Sequence, residues 1–291
     1  MIPGNTKLVR LEAVEKEFNI NNFLYAKLEN SNPSGSIKDR AVYQMLLDYQ
    51  KDGKLKEGST IVEATSGNTG IALGYFSKIF GYKLIIAMPE SMSQERRDMI
   101  ASYGAELRLI KGGMKQCEDY AEELVKEIPN SFVFHQFDNP SNPKAHYLTT
   151  GPEIIRDLPD VDYFFAGIGT GGTISGTGKY LKEKGRVSII GVQPYESPLL
   201  TKGVASGHLI QGIGPNFIPK TYDTKIADDI VDVKGEEAIK MAKFIRNTGD
   251  FDCGYSSGAA LLGAINYLKE HNITGKKVVI IFPDKGDRYS W

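Results

Sequence analysis

Three short stretches of this chain combine groups that could hold a phosphorylated aldehyde beside a small amino acid. The first, Ser36-Ile37-Lys38-Asp39-Arg40, offers a lysine amine just after a turn. The second, residues 65–70, is a polar turn ahead of an expected helix, and the third, residues 169–173, is rich in glycine. No one stretch decides the chemistry, but their combination in this order favours a pyridoxal phosphate site.

Lys38 follows the turn at residues 32–35 and stands at the expected start of a helix, with Ser36 as the predicted N-cap and Asp39 in the first turn. An amine that forms an imine needs a lowered pKa, which burial or nearby positive charge provides. A helix N-terminus supplies positive potential. Position alone favours a solvated surface lysine, so the catalytic interpretation depends on the other two stretches.

The polar turn follows a β-branched run and opens the next predicted helix. Successive backbone N–H groups at such a turn bind anions. Further polar partners are available at Thr65, Ser66, Asn68 and Thr69. A small carboxylate would fit this turn, whereas a plain helix cap would explain only one of the four polar residues.

The glycine-rich stretch predicts a nest for a single phosphate. Gly167, Gly169 and Gly172 formally match the dinucleotide pattern G-x-G-x-x-G, which is a weak signal by itself. A dinucleotide site also needs an acid about 20 residues further on, where this chain has Gln193. The nucleoside-triphosphate loop pattern G-x-x-x-x-G-K-[ST] fails as well, because Lys179 is followed by Tyr180 and position 173 is Thr. The alternative is a strand-to-helix turn whose glycines serve only the backbone.

Short β-branched runs alternate with longer amphipathic stretches, as is typical of α/β folds with parallel sheets. The predicted strands are 59–63, 83–88, 106–110, 131–136, 162–166, 187–192 and 278–282. The predicted helices are 70–80, 94–103, 116–128, one ending at Leu181, 236–246 and 259–269. We therefore predict two lobes with a cleft between them, each lobe having a mostly parallel twisted sheet flanked by helices.

The prolines and turn residues of 138–143 mark the expected boundary between the lobes. The smaller lobe would comprise residues 36–145. The larger, cofactor-binding lobe would comprise residues 1–35 and 146–291.

The bulk composition limits the classes of function. The net charge of −1 gives no field that would attract nucleic acid or an anionic membrane. No apolar run approaches the roughly 20 residues of a membrane helix, and no secretion signal is visible. The two cysteines are too few for a disulfide framework, and no metal-binding spacing occurs. We therefore expect a cytoplasmic enzyme without a metal.

Long motifs give the chain a resemblance to the cysteine synthase and cystathionine β-synthase family of fold-type-II pyridoxal-phosphate enzymes. They are Asn32 to Arg40, Glu63 to Gly70, Met88 to Arg97, Gln136 to Pro140, Gln211 to Gly214 and Gly254 to Gly258. The resemblance runs nearly end to end. It implies a fold like that of the tryptophan synthase β-subunit, a homodimer, a small lobe that moves over the substrate, and serine acetyltransferase as a candidate partner.

The resemblance also implies a role for each matching residue. Lys38 would form the imine with pyridoxal 5'-phosphate and exchange the Cα proton. Asn68 would hydrogen-bond the ring oxygen, and Ser256 would face the pyridine nitrogen. The phosphate would be held by Gly169, Thr170, Gly171, Gly172 and Thr173. The substrate carboxylate would be bound by Thr65, Ser66, Thr69 and Gln136.

The reaction implied is β-replacement in cysteine metabolism through an aminoacrylate intermediate. A hydroxyl at Ser256 tolerates a neutral ring, and this weaker electron sink favours β-elimination and β-replacement over transamination. The enzyme would make cysteine from O-acetylserine and sulfide, or consume L-cysteine, releasing hydrogen sulfide while water or a thiol adds to give serine or a thioether. The alternatives are a serine or threonine dehydratase-type lyase and a non-catalytic amino-acid-binding paralogue, which the intact Lys38 disfavours.

Asp232 departs from the family pattern, because cysteine synthases commonly have an uncharged residue at this place. It lies in a short apolar run, 230–233, where the ordinary interpretation is an exposed acid on an edge strand. The functional hypothesis is a general base at the cleft mouth that activates water or a thiol. Since sulfide is already an anion near neutral pH, such a base would shift the enzyme toward consuming L-cysteine.

Overall fold

The structure, a computed structural model, describes residues 1–248, 251–289 and 291. The strands are β1 Leu8–Arg10, β2 Phe23–Leu28, β3 Thr60–Ala64, β4 Lys83–Pro89, β5 Glu106–Ile110, β6 Ser131–Val133, β7 Tyr163–Gly167, β8 Ser188–Pro194, β9 Asp229–Val233 and β10 Lys277–Phe282. The helices are α1 Glu12–Glu17, α2 Lys38–Lys51, α3 Asn68–Phe80, α4 Gln94–Ala101, α5 Met114–Glu127, α6 Ser141–Leu148, α7 Thr150–Asp157, α8 Gly172–Lys184, α9 Leu199–Lys202, α10 Gly235–Asn247 and α11 Tyr255–Glu270. Short 3₁₀ turns occupy Glu29–Ser31 and Gly286–Arg288.

The strands form two sheets. The larger sheet has the order β1-β2-β10-β7-β8-β9, in which β1 runs antiparallel to β2 and every other pair is parallel. The smaller sheet has the order β5-β4-β3-β6 and is parallel throughout. The predicted α/β class with mostly parallel sheets flanked by helices is confirmed.

The two sheets divide the chain in the way the predicted lobes would. All four strands of the smaller sheet lie within residues 36–145, and the strands of the larger sheet lie outside this range. The boundaries of the lobes and the motion of the smaller one stay predictions.

Apolar residues on both faces of the central strands explain why helices cover the sheets. Every residue of β3 is buried, and so is β10 after its first residue. On one face of the larger sheet, Ile280 packs in a core with Leu261 and Ala264 of α11. On the other face, Ile281 packs in a core with Leu181 of α8. Parallel strands buried in this way carry near-continuous hydrophobic runs.

The structure corrects several predicted element boundaries. The fourth predicted strand, 131–136, ends at Val133, because His135 adopts a φ of 60° that does not continue a strand. Residues 141–157 form α6 and α7, where the prolines indicated only a boundary. The sequence patterns do not predict the N-terminal β1, α1 and β2, because each is short or lacks a clear periodicity of hydrophobic residues.

Within the described part of the chain, no helix combines the length and the apolar character needed to cross a bilayer. The same residues contain no group of three or more histidine, cysteine, aspartate or glutamate side chains placed to hold a metal ion.

Candidate active site

A cavity of about 690 Å³ lies at the carboxyl ends of strands from both sheets. Ala64 ends β3, Gly167 ends β7 and Pro283 follows β10, and all three line the cavity. Ligands of α/β proteins bind at this edge of parallel sheets, in sites of roughly 300–1,000 Å³. The sequence-predicted residues that line the cavity are Lys38, Thr65, Ser66, Asn68, Thr69, Gln136, Gly169, Thr170, Gly171, Thr173 and Ser256.

The N-terminus of α2 brings Lys38 to this cavity. Ile37 stands directly before α2, one residue after the predicted N-cap, but Ser36 Oγ accepts a hydrogen bond of 3.3 Å from the Lys38 amide, the bond that a capping hydroxyl makes. The Ile37 amide donates to the Pro283 carbonyl at 2.8 Å. That bond fixes the start of α2 to the end of β10.

The environment of the Lys38 amine increases the fraction that is neutral, and therefore reactive, near physiological pH. Burial lowers the pKa of Lys38 from its usual 10.5 to about 8, with the nearby carboxylate of Asp284 acting in the opposite direction. An amine with this pKa is partly neutral near physiological pH, as imine formation and proton abstraction require. The predicted lowering of the lysine pKa thus has burial as its main cause.

The loop from β3 into α3 gathers polar groups at the cavity wall. Gly67 is the extended N-cap of α3, and its amide donates to Thr65 Oγ1 at 3.3 Å. Thr69 Oγ1 donates to Gln136 Oε1 at 2.6 Å, although the two residues lie 67 positions apart. The first N–H groups of a helix lack intrahelical partners and attract anions. This wall can therefore bind a small carboxylate.

Asn68, the first residue of α3, is held at both ends of its side-chain amide. Its Nδ2 donates to Asp284 Oδ2 at 2.7 Å, and its Oδ1 accepts from Arg288 Nη1. Sequence reasoning gave neither Asp284 nor Arg288 a role. The signal that could have identified Asp284 is its place just beyond a buried strand, which corresponds to the polar turns after β3 and β7.

The glycine-rich loop joins β7 to α8. Its glycines pack so closely against neighbouring residues that a side chain at these positions would not fit. Gly171 has a φ of 79°, which favours glycine. A Cβ on Gly169 would overlap the carbonyl oxygen of Gly212, and one on Gly172 would overlap the side chain of Asn142. The first turn of α8 is thereby fixed at the cavity, where its N–H groups can bind a phosphate.

Residues outside the predicted set support this loop. Asn142 Nδ2 donates to Thr170 Oγ1 at 3.0 Å and to the Gln136 carbonyl at 2.9 Å. Thr221 Oγ1 donates to the Thr170 carbonyl at 2.6 Å. Asn142 belongs to the stretch that the sequence marked only as a lobe boundary. No local pattern distinguishes such supporting residues from ordinary turn residues.

Ser256 is buried in the first turn of α11, and Gly254 is the N-cap of this helix. Its presence among the cavity residues is consistent with the predicted contact to a pyridine nitrogen, which stays a prediction.

Asp232 lies outside the group of described residues that line the cavity. It lies on β9, the outermost strand of the larger sheet, and is not among the described residues that line the cavity. Its Oδ1 accepts from Gln193 Nε2 at 2.8 Å, and its Oδ2 pairs with Lys202 Nζ at 2.9 Å. The position matches the edge-strand interpretation, although the side chain is partly buried and not exposed, and the general-base role stays a prediction.

The donor set of the cavity fits pyridoxal phosphate. The N-terminus of α8, packed too closely for side chains, suits a phosphate, and Lys38 offers the desolvated amine that the aldehyde requires. The amide of Asn68 and the hydroxyl of Ser256 are available to the polar atoms of a ring between them.

The comparisons with known proteins agree with this chemistry. Residues 1–284 match the family described as pyridoxal-phosphate dependent enzyme. The chain is 47% identical over 290 residues to cysteine synthase B of Campylobacter jejuni, covering 98% of this chain and 94% of that protein. It is 42% identical to cysteine synthase A of Escherichia coli K12, with 98% and 91% covered.

Solved structures give the same result. A hydrogen sulfide-producing enzyme from Fusobacterium nucleatum superposes with a TM-score of 0.95 at 42% identity, covering 99% of this chain and 96% of that one. A cysteine synthase from Entamoeba histolytica superposes with a TM-score of 0.95 at 41% identity, covering 99% and 87%.

Proposed function

Because the chain belongs to the cysteine synthase family of pyridoxal-phosphate dependent enzymes, we propose that it carries out β-replacement on a small amino acid in cysteine metabolism. The observation that carries the proposal is the desolvated amine of Lys38 in one cavity with the polar loop at 65–69 and the glycine-rich loop at 169–173. These are the groups that a phosphorylated aldehyde and an amino acid need side by side.

The first candidate reaction is the synthesis of cysteine from O-acetylserine and sulfide, supported by the relatives named cysteine synthase. The second is release of hydrogen sulfide from L-cysteine, with water or a thiol replacing it. Likeness to the hydrogen sulfide-producing enzyme of Fusobacterium nucleatum favours this second candidate.

In both reactions the substrate carboxylate would bind the wall formed by Thr65, Ser66, Thr69 and Gln136. The bond from Thr69 to Gln136 holds these two side chains in one orientation. This wall would place the Cα and Cβ atoms of the substrate next to Lys38.

Lys38 would anchor pyridoxal phosphate, with Asn68, Ser256 and the loop at 169–173 holding its ring and phosphate. When bound, the cofactor supplies an electron sink for negative charge at the substrate Cα. Lys38, freed by the substrate amine, would take the Cα proton as general base. It would hold that proton while the leaving group departs from Cβ and the nucleophile adds there, and then return it to Cα.

We also propose a cytoplasmic homodimer, to which a serine acetyltransferase binds. Both cysteines are free and buried, which supports a reducing compartment. Light scattering of the purified protein measures its mass, and titration with a serine acetyltransferase measures docking.

The test of the function is a substrate panel on the protein reconstituted with pyridoxal phosphate. We expect a visible absorption band and cysteine formation from O-acetylserine plus sulfide, or sulfide release from L-cysteine. Lys38→Ala should lower turnover by about 10²–10⁴-fold, the usual contribution of a general base. Lys51→Ala, at the exposed far end of the same helix, should retain turnover.

Three outcomes would contradict the proposal. A protein that stays colourless after reconstitution does not use the cofactor, and full turnover by Lys38→Ala removes the proposed base. If serine or threonine were converted to a 2-oxo acid and ammonia as the main reaction, the enzyme would be a dehydratase-type lyase instead.

A further inference from the structure

One buried residue, Asp284, contacts the N-terminal ends of three helices that carry proposed cofactor residues, two through its backbone and one through its carboxylate. Asp284 follows β10, is only 1% exposed and lines the cavity. Its backbone pairs with Ser36 beside the start of α2. Its carbonyl accepts from the amide of Gly254, the N-cap of α11, at 3.3 Å. Its Oδ2 accepts from Asn68 at the start of α3.

The two carboxylate oxygens of Asp284 have different surroundings. Oδ2 accepts from Asn68 Nδ2 at 2.7 Å and from Tyr289 Oη at 2.5 Å. Oδ1 is buried without a hydrogen-bond partner among the described residues. It lies against Gly254, where a Cβ would overlap it. A buried carboxylate satisfied on one side only is costly to stability, so a functional reason for it is expected.

The contact with Asn68 suggests that reason. Arg288 Nη1 donates to Asn68 Oδ1 while Asp284 accepts from Nδ2, so both ends of the amide are fixed. A side-chain amide has two N–H donors. Asp284 uses one of them, which leaves the second for a ligand in the cavity. Without Asp284, the Asn68 amide would be held only by its hydrogen bond from Arg288 and could rotate about that bond.

We propose that Asp284 is a positioning residue of the cofactor site, which directs the second Nδ2 hydrogen of Asn68 toward the ring oxygen of bound pyridoxal phosphate. The inference rests on the proposed function, because it takes Asn68 as a cofactor ligand. Asp284 acts through Asn68 and takes no part in proton transfer.

A double-mutant cycle on the full-length protein tests this. Asp284→Ala and Asn68→Ala are each expected to weaken cofactor binding by about 10–100-fold, the equivalent of one hydrogen bond to a charged group. Because the two act as one unit, the double variant should bind within about threefold of the weaker single variant. The dissociation constant is measured by titrating cofactor-free protein and following visible absorption.

Two control variants test whether the loss of affinity comes from the missing hydrogen-bond acceptor. Asp284→Asn keeps an oxygen that can accept from Asn68 and should recover binding to within about threefold of wild type. Glu270→Gln changes an exposed acid at the far end of α11 and should leave binding unchanged.

Unfolding in urea separates positioning from general support of the fold. Asp284→Ala relieves the desolvation cost of a buried carboxylate but also removes the acceptor of Asn68 Nδ2 and Tyr289 Oη. Because these two effects oppose each other, the cofactor-free variant should unfold at a urea concentration close to that of wild type. If this variant does not fold, Asp284→Ser, whose short hydroxyl cannot reach Asn68, replaces it in the same cycle.

Additive losses in the double variant would overturn the inference, and so would cofactor binding by Asp284→Ala equal to that of the Glu270→Gln control. A fall in urea midpoint parallel to the loss of affinity would show support of the fold instead of positioning. These failures are distinct from a failure of the proposed function, in which the wild-type protein itself would not bind the cofactor.

Discussion

The chemistry of Lys38 comes from its surroundings. The residue starts α2, and desolvation lowers the pKa of its amine to about 8. An exposed lysine would be almost wholly protonated at neutral pH and a poor nucleophile. Burial beside the cavity therefore decides whether the amine of Lys38 can react as a nucleophile.

The lowered pKa of Lys38 predicts the pH dependence of cofactor attachment. The neutral amine is the reactive form, so the rate of attachment to cofactor-free protein should rise with pH and level off above a midpoint of about 8. An ordinary lysine would give a midpoint near 10.5. The rate is followed by visible absorption at a series of pH values, and a midpoint at or above 10 would contradict the desolvated environment.

For Asp232, the structure predicts a small effect of substitution. Its carboxylate pairs with Lys202 and Gln193 on an outer strand, so Asp232→Asn should leave sulfide release from L-cysteine within about threefold of wild type. A general base would cost about 10²–10⁴-fold on removal. A loss of that size in a folded variant would support the general-base hypothesis. Asp229→Asn, exposed on the same strand, is the matched control.

At the scale of elements, close packing of α8 against α6 fixes the phosphate end of the cavity. Gly176 of α8 faces the carbonyl of Pro143 at the start of α6, and a Cβ there would overlap that backbone oxygen. Backbone atoms cannot move aside as a side chain can, so α8 and its first turn depend on glycine at this position.

Gly176→Ala should therefore destabilise the fold by about 1–3 kcal/mol, the usual cost of overpacking, and weaken cofactor binding by displacing α8. Gly185→Ala at the other end of α8 meets nothing closer than 4.0 Å and has extended backbone angles, so its effect should be about 0.5 kcal/mol or less. Urea unfolding compares the two variants, and equal stabilities would contradict the packing argument.

At the scale of the whole molecule, a buried ion cluster ties α2 to the larger sheet. The guanidinium of Arg40 is fully buried and lies 2.7 Å from both Glu29 and Glu153. Lys27 on β2 is also buried and lies 2.8 Å from Glu153. Since Arg40 is two residues after Lys38, the cluster fixes the helix that carries the amine.

Arg40→Met should lower the free energy of unfolding by about 3–5 kcal/mol, because it leaves the buried carboxylate of Glu29 without its ion-pair partner and Glu153 with Lys27 alone. Lys126→Met breaks an exposed ion pair with Glu123 and should change the free energy of unfolding by less than about 1 kcal/mol. Urea unfolding curves measure both. Equal effects of the two substitutions would show that the buried cluster does not join α2 to the rest of the molecule.

Local patterns in the sequence determined the fold class, most central strands and helices, and the loops from which the cavity is built. They could do so because side-chain period and glycine placement act over a few residues. Only the tertiary structure decided which distant groups meet: Thr69 with Gln136, Asn68 with Asp284, and Asp232 with Lys202 instead of the cavity. These pairings join residues that lie far apart in the chain, and they depend on how the strands and helices pack together, which no short stretch of sequence encodes.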